Sequence, residues 1–296
     1  MTVTPVDPQP ALTLTARALR RRRARRRFTA RPLAVAGALG VALVVIFAVF
    51  APLLSPVDPN APNFDTVLAG PSPHHLAGTD QLGRDVLSRL FYGARSALLA
   101  GVLSTLLATV VAVPVGLLAG YYRRILDAVV MRIMDVALAF PFLVLAVGLA
   151  AVLGPSLVNA TLALGIAQIP VIVRITRGEV LAARELDYVA ASVVNGSGSA
   201  TIMARQILPN VLSPVVVQAT LTIPTAIVGA AILSYLGLGV QPPTADWGAM
   251  LSEARIYLSQ APWLGVFPGL AIFLTALSFN LLGDGVRDAL DPRMRP

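Results

Sequence analysis

Residues 33–54 read LAVAGALGVALVVIFAVFAPLL and contain no charged side chain. An α-helix rises about 1.5 Å per residue, so about 20 apolar residues cross the ~30 Å hydrocarbon core of a bilayer. In that core, backbone polar groups find partners only inside helices or closed barrels. The stretch therefore predicts a membrane-spanning helix.

Five further apolar stretches are long enough to cross a bilayer. Of the residues in this chain, 56% are hydrophobic and 13% charged, whereas a soluble domain is about 25% charged, so there is too little charge to cover a water-facing surface. We therefore predict an all-α, polytopic membrane protein with six transmembrane helices. The five stretches are residues 96–120, 128–153, 159–175, 211–236 and 263–282.

Arginine is concentrated near the N-terminus. Residues 1–31 hold nine Arg and one acid, Asp7. Basic residues bias which side of the membrane a flanking segment keeps, and the six predicted spans leave nineteen Arg on the N-terminal side and four on the other. This predicts that both termini are cytoplasmic. The Arg-rich run suits anionic lipid head groups, and no aromatic or motif context points to nucleic acid.

Several kinds of chemistry are excluded by residues that the sequence lacks. Without lysine there is no phosphate-binding P-loop, and without cysteine there is no disulfide or Cys-ligated metal site. The adjacent His74 and His75 have no carboxylates at metal-ligand spacing, so we expect a solvated pair in a loop. We expect no catalytic residue and no metal site, which argues against a membrane-embedded enzyme.

Residues 178–210 form a mixed-polar segment on the predicted cytoplasmic side. Its pattern predicts a short helix, a break at Gly196, where glycine permits a sharp turn, and a second helix stopped by Pro209. Such a helix–turn–helix would protrude from the membrane face. A plain connector is the alternative. On the other side we expect an irregular loop at residues 55–95, which begins rich in Pro, Asn and Asp.

The predicted fifth span carries a polar stripe of Gln218, Thr222 and Thr225, continued by Gly229. Their helical spacing places them on one face. The stripe either lines a water-filled path or packs against another helix, and the sequence does not decide between them. Five spans also carry an internal proline that permits a kink, at Pro114, Pro141, Pro170, Pro224 and Pro268. Either these prolines are simply tolerated, as in many membrane helices, or their kinks shape a gated pathway.

Ionisable residues are scarce inside the predicted spans. Asp127 and Asp135 lie near the inner end of the third span, and Asp135 is three residues from Arg132, so those two side chains can meet on one helix face. Ion-coupled carriers usually place ionisable groups in mid-membrane. An ion-coupled carrier or channel is therefore the alternative function, disfavoured because the other spans lack such charges.

Several motifs match those of one known family. DYVAASVVNG at 187–196, followed by LPN at 208–210, resembles the EAA coupling loop of the C-type permease subunits of dipeptide, oligopeptide and nickel ABC importers. The resemblance extends over nearly everything from residue 33 onward. It differs at Ala190, where the family often has Glu, at Ser192 in place of Ala, and at Asn195. The other matching motifs are GTDQLGRDVLSRL at 78–90, MRIMD at 131–135, SYLGLGVQPP at 234–243, DWG at 246–248 and NLLGDGVRDALDPR at 280–293.

The resemblance implies a type I ABC importer transmembrane fold in the inner membrane. It implies a translocation path shared with a second permease in a heterodimer, ATP-binding subunits that hold ATP and Mg, and an extracytoplasmic binding protein that delivers peptides. This chain would hold no cofactor. The implied regions are a tail (1–31), a first span (32–54), an extracytoplasmic segment (55–93), a transmembrane domain (94–284) and a C-terminal tail (285–296). The implied coupling residues are Glu185, Asp187, Tyr188, Val189, Ala190, Ala191, Ser192, Gly196, Leu208 and Pro209.

Overall fold

The computed structural model describes residues 29, 31–55 and 57–290. The predictions for residues 1–28 and 291–296 lie outside this part of the chain. Within it, no strand is present, only an isolated bridge between Thr79 and Asp85. The helices are α1 (Pro32–Leu54), α2 (Val86–Tyr122), α3 (Arg124–Leu138), α4 (Phe142–Leu153), α5 (Leu157–Arg184), α6 (Asp187–Val194), α7 (Ser199–Ile202), α8 (Leu208–Tyr235), α9 (Trp247–Ala254) and α10 (Trp263–Leu290).

The predicted third span is broken. Five helices are each long and apolar enough to cross a membrane, and the sixth candidate is α3 with α4, which meet at 90°. A proline disfavours helical angles in the residue before it and lacks an N–H. Pro141 takes an extended conformation between the two helices. The prediction of six spans therefore holds only if this bent pair counts as one.

The other four prolines of the predicted set do not break their helices. Pro114, Pro170, Pro224 and Pro268 all lie inside continuous helices. This agrees with the tolerance of membrane helices for proline, whose freed backbone groups find other partners. Among these five prolines, a break occurs only at Pro141.

Helix α2 begins ten residues earlier than the apolar stretch indicates. Residues 86–95 were predicted as part of an irregular loop, and that prediction is wrong. Asp85 caps the helix by accepting the Ser88 N–H at 2.8 Å. The extra turns were missed because Arg89 and Arg95 lower their hydropathy, although both side chains find partners in the protein.

The helices place the connecting segments at two opposite ends of the molecule. One end, here called the capped end, holds residues 57–85 and 236–262, which are joined by hydrogen bonds from Gln81 and Arg84 to Glu253. The other, here called the turn end, holds residues 185–207. Helices α2 and α5 run parallel from the capped end to the turn end, and α8 returns.

Close packing of small residues joins α2 to α5. A Cβ on Gly116 would lie 2.7 Å from Thr176 Cβ and 2.9 Å from the Val173 carbonyl oxygen. On the other helix, a Cβ on Gly165 would lie 3.0 Å from the Ser104 carbonyl oxygen. Small residues allow membrane helices to approach until their backbones touch. The α2–α5 contact is therefore a backbone-level contact that tolerates no larger side chain at these positions.

We expect Gly116→Ala to destabilise the protein by about 1–3 kcal/mol, because the added methyl forces α2 away from the α5 backbone. Gly148→Ala in α4 is the matched control, since a Cβ there meets nothing within 4 Å. Retention of the size-exclusion peak after heating in detergent would measure both. Equal midpoints for the two variants would contradict this account of the α2–α5 contact.

Candidate functional site

The segment at the turn end is a helix–turn–helix that extends beyond α5. Residues 178–184 continue α5, so the separate first helix is only α6, which ends at Val194. Gly196 follows with a φ of +74°, an angle that glycine adopts without steric cost. The predicted break at Gly196 is confirmed, whereas the predicted start of the first helix was too early.

Pro209 does not stop the second helix. It is the second residue of α8, and the helical turn before it runs on into α8. The residues before it, Met203–Ile207, form a π-helical turn. Residues 199–235 therefore form one continuous helical span, entered from the turn. The prediction of a stop was wrong because the wider turn accommodates the proline ring.

The turn is anchored to the bundle by one apolar side chain. Val189 of α6 is buried and belongs to the same apolar cluster as Val180 of α5 and Ile202 and Ile207 on the returning helix. Burying one such side chain is worth about 1.5–3 kcal/mol. This cluster packs α6 against the ends of both long helices.

Polar contacts also join the turn to the neighbouring helices. The Asn210 side-chain amide donates to the Tyr188 hydroxyl at 2.8 Å. The Gln206 amide donates to the Ser192 hydroxyl at 2.6 Å. Arg123, which follows α2, forms an ion pair with Glu185. Two of these three contacts tie α6 to the helix that returns to the membrane, and the third ties its base to α2.

Two apolar side chains are exposed on the outer surface of the turn. Val194 is 86% exposed and Val193 is 58% exposed. A cavity of about 320 Å³ lies beside them, lined by Tyr121, Arg184 and Val189 among others. Of the predicted coupling residues, Val189 is buried and Ser192 and Leu208 are partly buried; the exposed ones are Glu185, Asp187, Tyr188, Ala190, Ala191, Gly196 and Pro209.

Two ion pairs connect α3 to the part of α5 that leads into the turn. Arg177 donates from Nε and Nη2 to the two carboxylate oxygens of Asp127, both at 2.6 Å. Arg174 donates to Asp135 at 2.6 Å. The sequence suggested Arg132 as the neighbour of Asp135, and this was wrong because the pair forms between helices rather than along one.

The predicted polar stripe on α8 is divided between two environments. Gly229 is a packing position, since a Cβ there would lie 2.7 Å from Leu164. Thr225 is exposed and lines a cavity of about 320 Å³ between α4, α8 and α10. Gln218 and Thr222 are half-buried and bond mainly within their own helix, the Thr222 hydroxyl donating to the Gln218 carbonyl at 2.7 Å.

A buried ionic cluster at the capped end escaped the sequence analysis. Arg84 donates to Asp80 at 2.6 Å and to Glu253 at 2.8 Å. Arg89, 1% exposed, lies between the same two acids and donates to the Pro59 carbonyl at 3.3 Å. Buried arginine is stable only when paired. The cluster therefore holds both capped-end segments against α2. In the sequence, the charged pair in GRD at 83–85 pointed to an ionic site, but no neighbouring residue indicated that Glu253 would be the partner.

Two more capped-end residues are held by the fold. His75 was predicted to be solvated, and this was wrong: its Nδ1 lies 3.0 Å from Asp85 Oδ1, which is buried. Asp246 caps α9 by accepting the N–H groups of Gly248 and Ala249. Burial raises the pKa of Asp246 above its ordinary value, against the effect of those hydrogen bonds.

Comparison with known proteins agrees with this architecture. Residues 112–296 match the family described as binding-protein-dependent transport system inner membrane component. The chain belongs to this family. Residues 20–71 match the N-terminal TM domain of oligopeptide transport permease C. The protein is thus a multi-pass permease of the inner membrane with the fold predicted from its motifs.

Curated relatives cover most of the chain. It is 46% identical over 268 residues to the di/tripeptide transport system permease protein DppC of Pseudomonas aeruginosa, covering 88% of each chain. It is 45% identical over 271 residues to the glutathione transport system permease protein GsiD of Pectobacterium atrosepticum, covering 91% of this chain and 90% of that one. The family resemblance inferred from the motifs is confirmed.

Replacing one acidic residue at each end should show which ion pairs contribute to the stability of the protein. We expect Glu253→Gln to cost about 1–3 kcal/mol, because the half-buried carboxylate accepts from both Arg84 and Gln81. Glu185→Gln should cost less than about 1 kcal/mol, since both partners are exposed. Thermal unfolding in detergent would measure the difference. A larger loss for Glu185→Gln would overturn the structural role of the cluster.

Proposed function

We propose that this permease is the C-type transmembrane subunit of an ATP-driven importer of dipeptides or short oligopeptides. It forms the translocation path with a second permease, receives cargo from an extracytoplasmic binding protein, and is driven by ATPase subunits that bind ATP and Mg. The names of the relatives support peptide cargo. The lack of lysine, and hence of a P-loop, supports hydrolysis on another chain.

The observation that carries this proposal is the turn at residues 185–207. It presents unpaired apolar side chains outside the bundle, while its buried side joins α5 and α8 through Val189. An exposed apolar patch on an otherwise polar segment marks an interaction site. Docking of an ATPase subunit there would move two membrane helices at once, which is what coupling requires.

The arginines support the turn end as the cytoplasmic end. Those that flank the spans at this end include Arg31, Arg123 and Arg205. At the capped end, by contrast, Arg84 and Arg89 are buried in the ionic cluster and Arg95 donates to α1 carbonyls. Positive flanks remain in the cytoplasm, so both termini and the turn face the cytoplasm and the capped end faces the binding protein.

An ion-coupled carrier is less well supported. The two carboxylates of the broken span, Asp127 and Asp135, are each bonded to an arginine of α5. A carboxylate that carries protons or cations must release and rebind them, which a tight pair with arginine opposes. The ion pairs instead make α3 move together with the helix that enters the turn.

The test is Val194→Asp, studied in the complex of both permeases, the ATPase subunits and the binding protein. Val194 makes no buried contact within the chain, so folding should be unchanged. A charge there should weaken ATPase docking, and we expect ATPase co-purification and uptake of a labelled dipeptide to fall at least about tenfold.

Ile256→Asp is the matched control for this experiment. Ile256 is 69% exposed and lies at the capped end, so this variant should retain the ATPase subunits. Full ATPase retention and uptake in Val194→Asp would rule out the turn as the coupling site. Uptake by this chain alone, without an ATPase, would rule out the proposed function.

A further inference from the structure

A groove runs along α8 and α10 beside the break in the third span. Its inner part is the cavity of about 320 Å³ lined by Phe142, Thr225 and Asn280. A second cavity of about 490 Å³ continues it toward the capped end and shares Val228, Ile232 and Ala276 with the first. Volumes of about 300–1,000 Å³ are typical of small-molecule sites.

The groove lies beside the break in the third span. Phe142 begins α4, directly after Pro141, and lines the groove. Helix α4 has only 12 residues, and α3 leaves it at 90°.

Asn280 is unusual among the groove residues. It lies well inside α10, its side chain is exposed, and it forms no hydrogen bond with any described residue. The Thr225 hydroxyl across the groove is likewise exposed and unpaired within the described chain. An unpaired carboxamide in contact with lipid is unfavourable, because hydrocarbon offers no hydrogen-bond partner. An occupant that supplies polar groups would therefore be favoured on this face of α10.

The chemistry of the groove favours a peptide main chain as that occupant. An asparagine side chain carries both a donor and an acceptor, the same pair that a peptide bond presents. The residues lining both cavities include no charged side chain. A groove of this kind binds the peptide backbone without selecting for charged peptide side chains. Its apolar residues can contact peptide side chains of different kinds. Weak, sequence-tolerant contacts suit a path that cargo must leave again.

Resting on the proposed function, we infer that Asn280 and Thr225 hydrogen-bond the main chain of the peptide in transit and set the affinity of this groove for peptides. They act on cargo rather than on assembly or ATPase coupling. The binding protein then selects the cargo, and these two side chains recognise only what all short peptides share.

The experiment compares Asn280→Leu with Ser278→Ala in the complete reconstituted importer. Leucine matches asparagine in size and removes both polar groups. Ser278 is two residues away, but its hydroxyl donates to the Leu274 carbonyl and it packs against Gly40 of α1. We expect Asn280→Leu to slow labelled dipeptide uptake about three- to tenfold, with unchanged subunit co-purification and unchanged ATPase stimulation by the binding protein. Ser278→Ala should match the wild type.

A second pair of variants tests the hydroxyl. Thr225→Val should slow uptake in the same way, and Thr225→Ser should restore it, because serine returns the donor. These changes alter little volume, so a purely structural role would leave uptake unchanged.

Each contrary result has a distinct meaning. Normal uptake in both Asn280→Leu and Thr225→Val would overturn the inference and leave the proposed function intact. Loss of the second permease from purified Asn280→Leu complexes would also overturn it, because the groove would then be a subunit interface. If the wild-type complex imported no peptide, the proposed function would fail and this inference with it.

Discussion

The close contact between α2 and α5 is the constraint on which the rest of the structure depends. Gly116 and Gly165 allow the two backbones to touch along most of their parallel course. At one end α2 carries Arg89 into the buried ionic cluster. At the other end α5 continues into the turn, and Arg123 after α2 bonds to its base. A closely packed pair of helices thus connects the capped end to the turn end.

The ion pairs at these two ends differ in how deeply they are buried. At the capped end, Asp80, Arg84 and Arg89 are buried beside Glu253, and removal of one partner from such a cluster is costly. Asp80, Arg84 and Glu253 therefore hold the segments of the capped end firmly together. At the turn end, ion pairs such as Arg174–Asp135 are exposed, and exposed pairs contribute little to stability.

Several features of the fold were predictable because they depend on composition or on local backbone chemistry. Residues 33–54 could only be a spanning helix, and Gly196 marked a turn that the structure contains. The errors concern contacts or backbone geometry that the surrounding sequence did not reveal. Residues 86–95 are helical although their arginines suggested a loop, because Asp80 and Glu253 neutralise Arg89. Pro209 is accommodated because a π-turn precedes it, and His75 is held by Asp85.

The sequence by itself determined that this is a helical permease with a protruding turn, since hydropathy, arginine distribution and local motifs act over short stretches of chain. Only the tertiary structure decided which side chains meet. Thr225 and Asn280 line one groove beside the bend at Pro141, and Asp135 pairs with Arg174 rather than with Arg132. These contacts join residues tens of positions apart, and their geometry depends on how the helices pack, which no local pattern specifies.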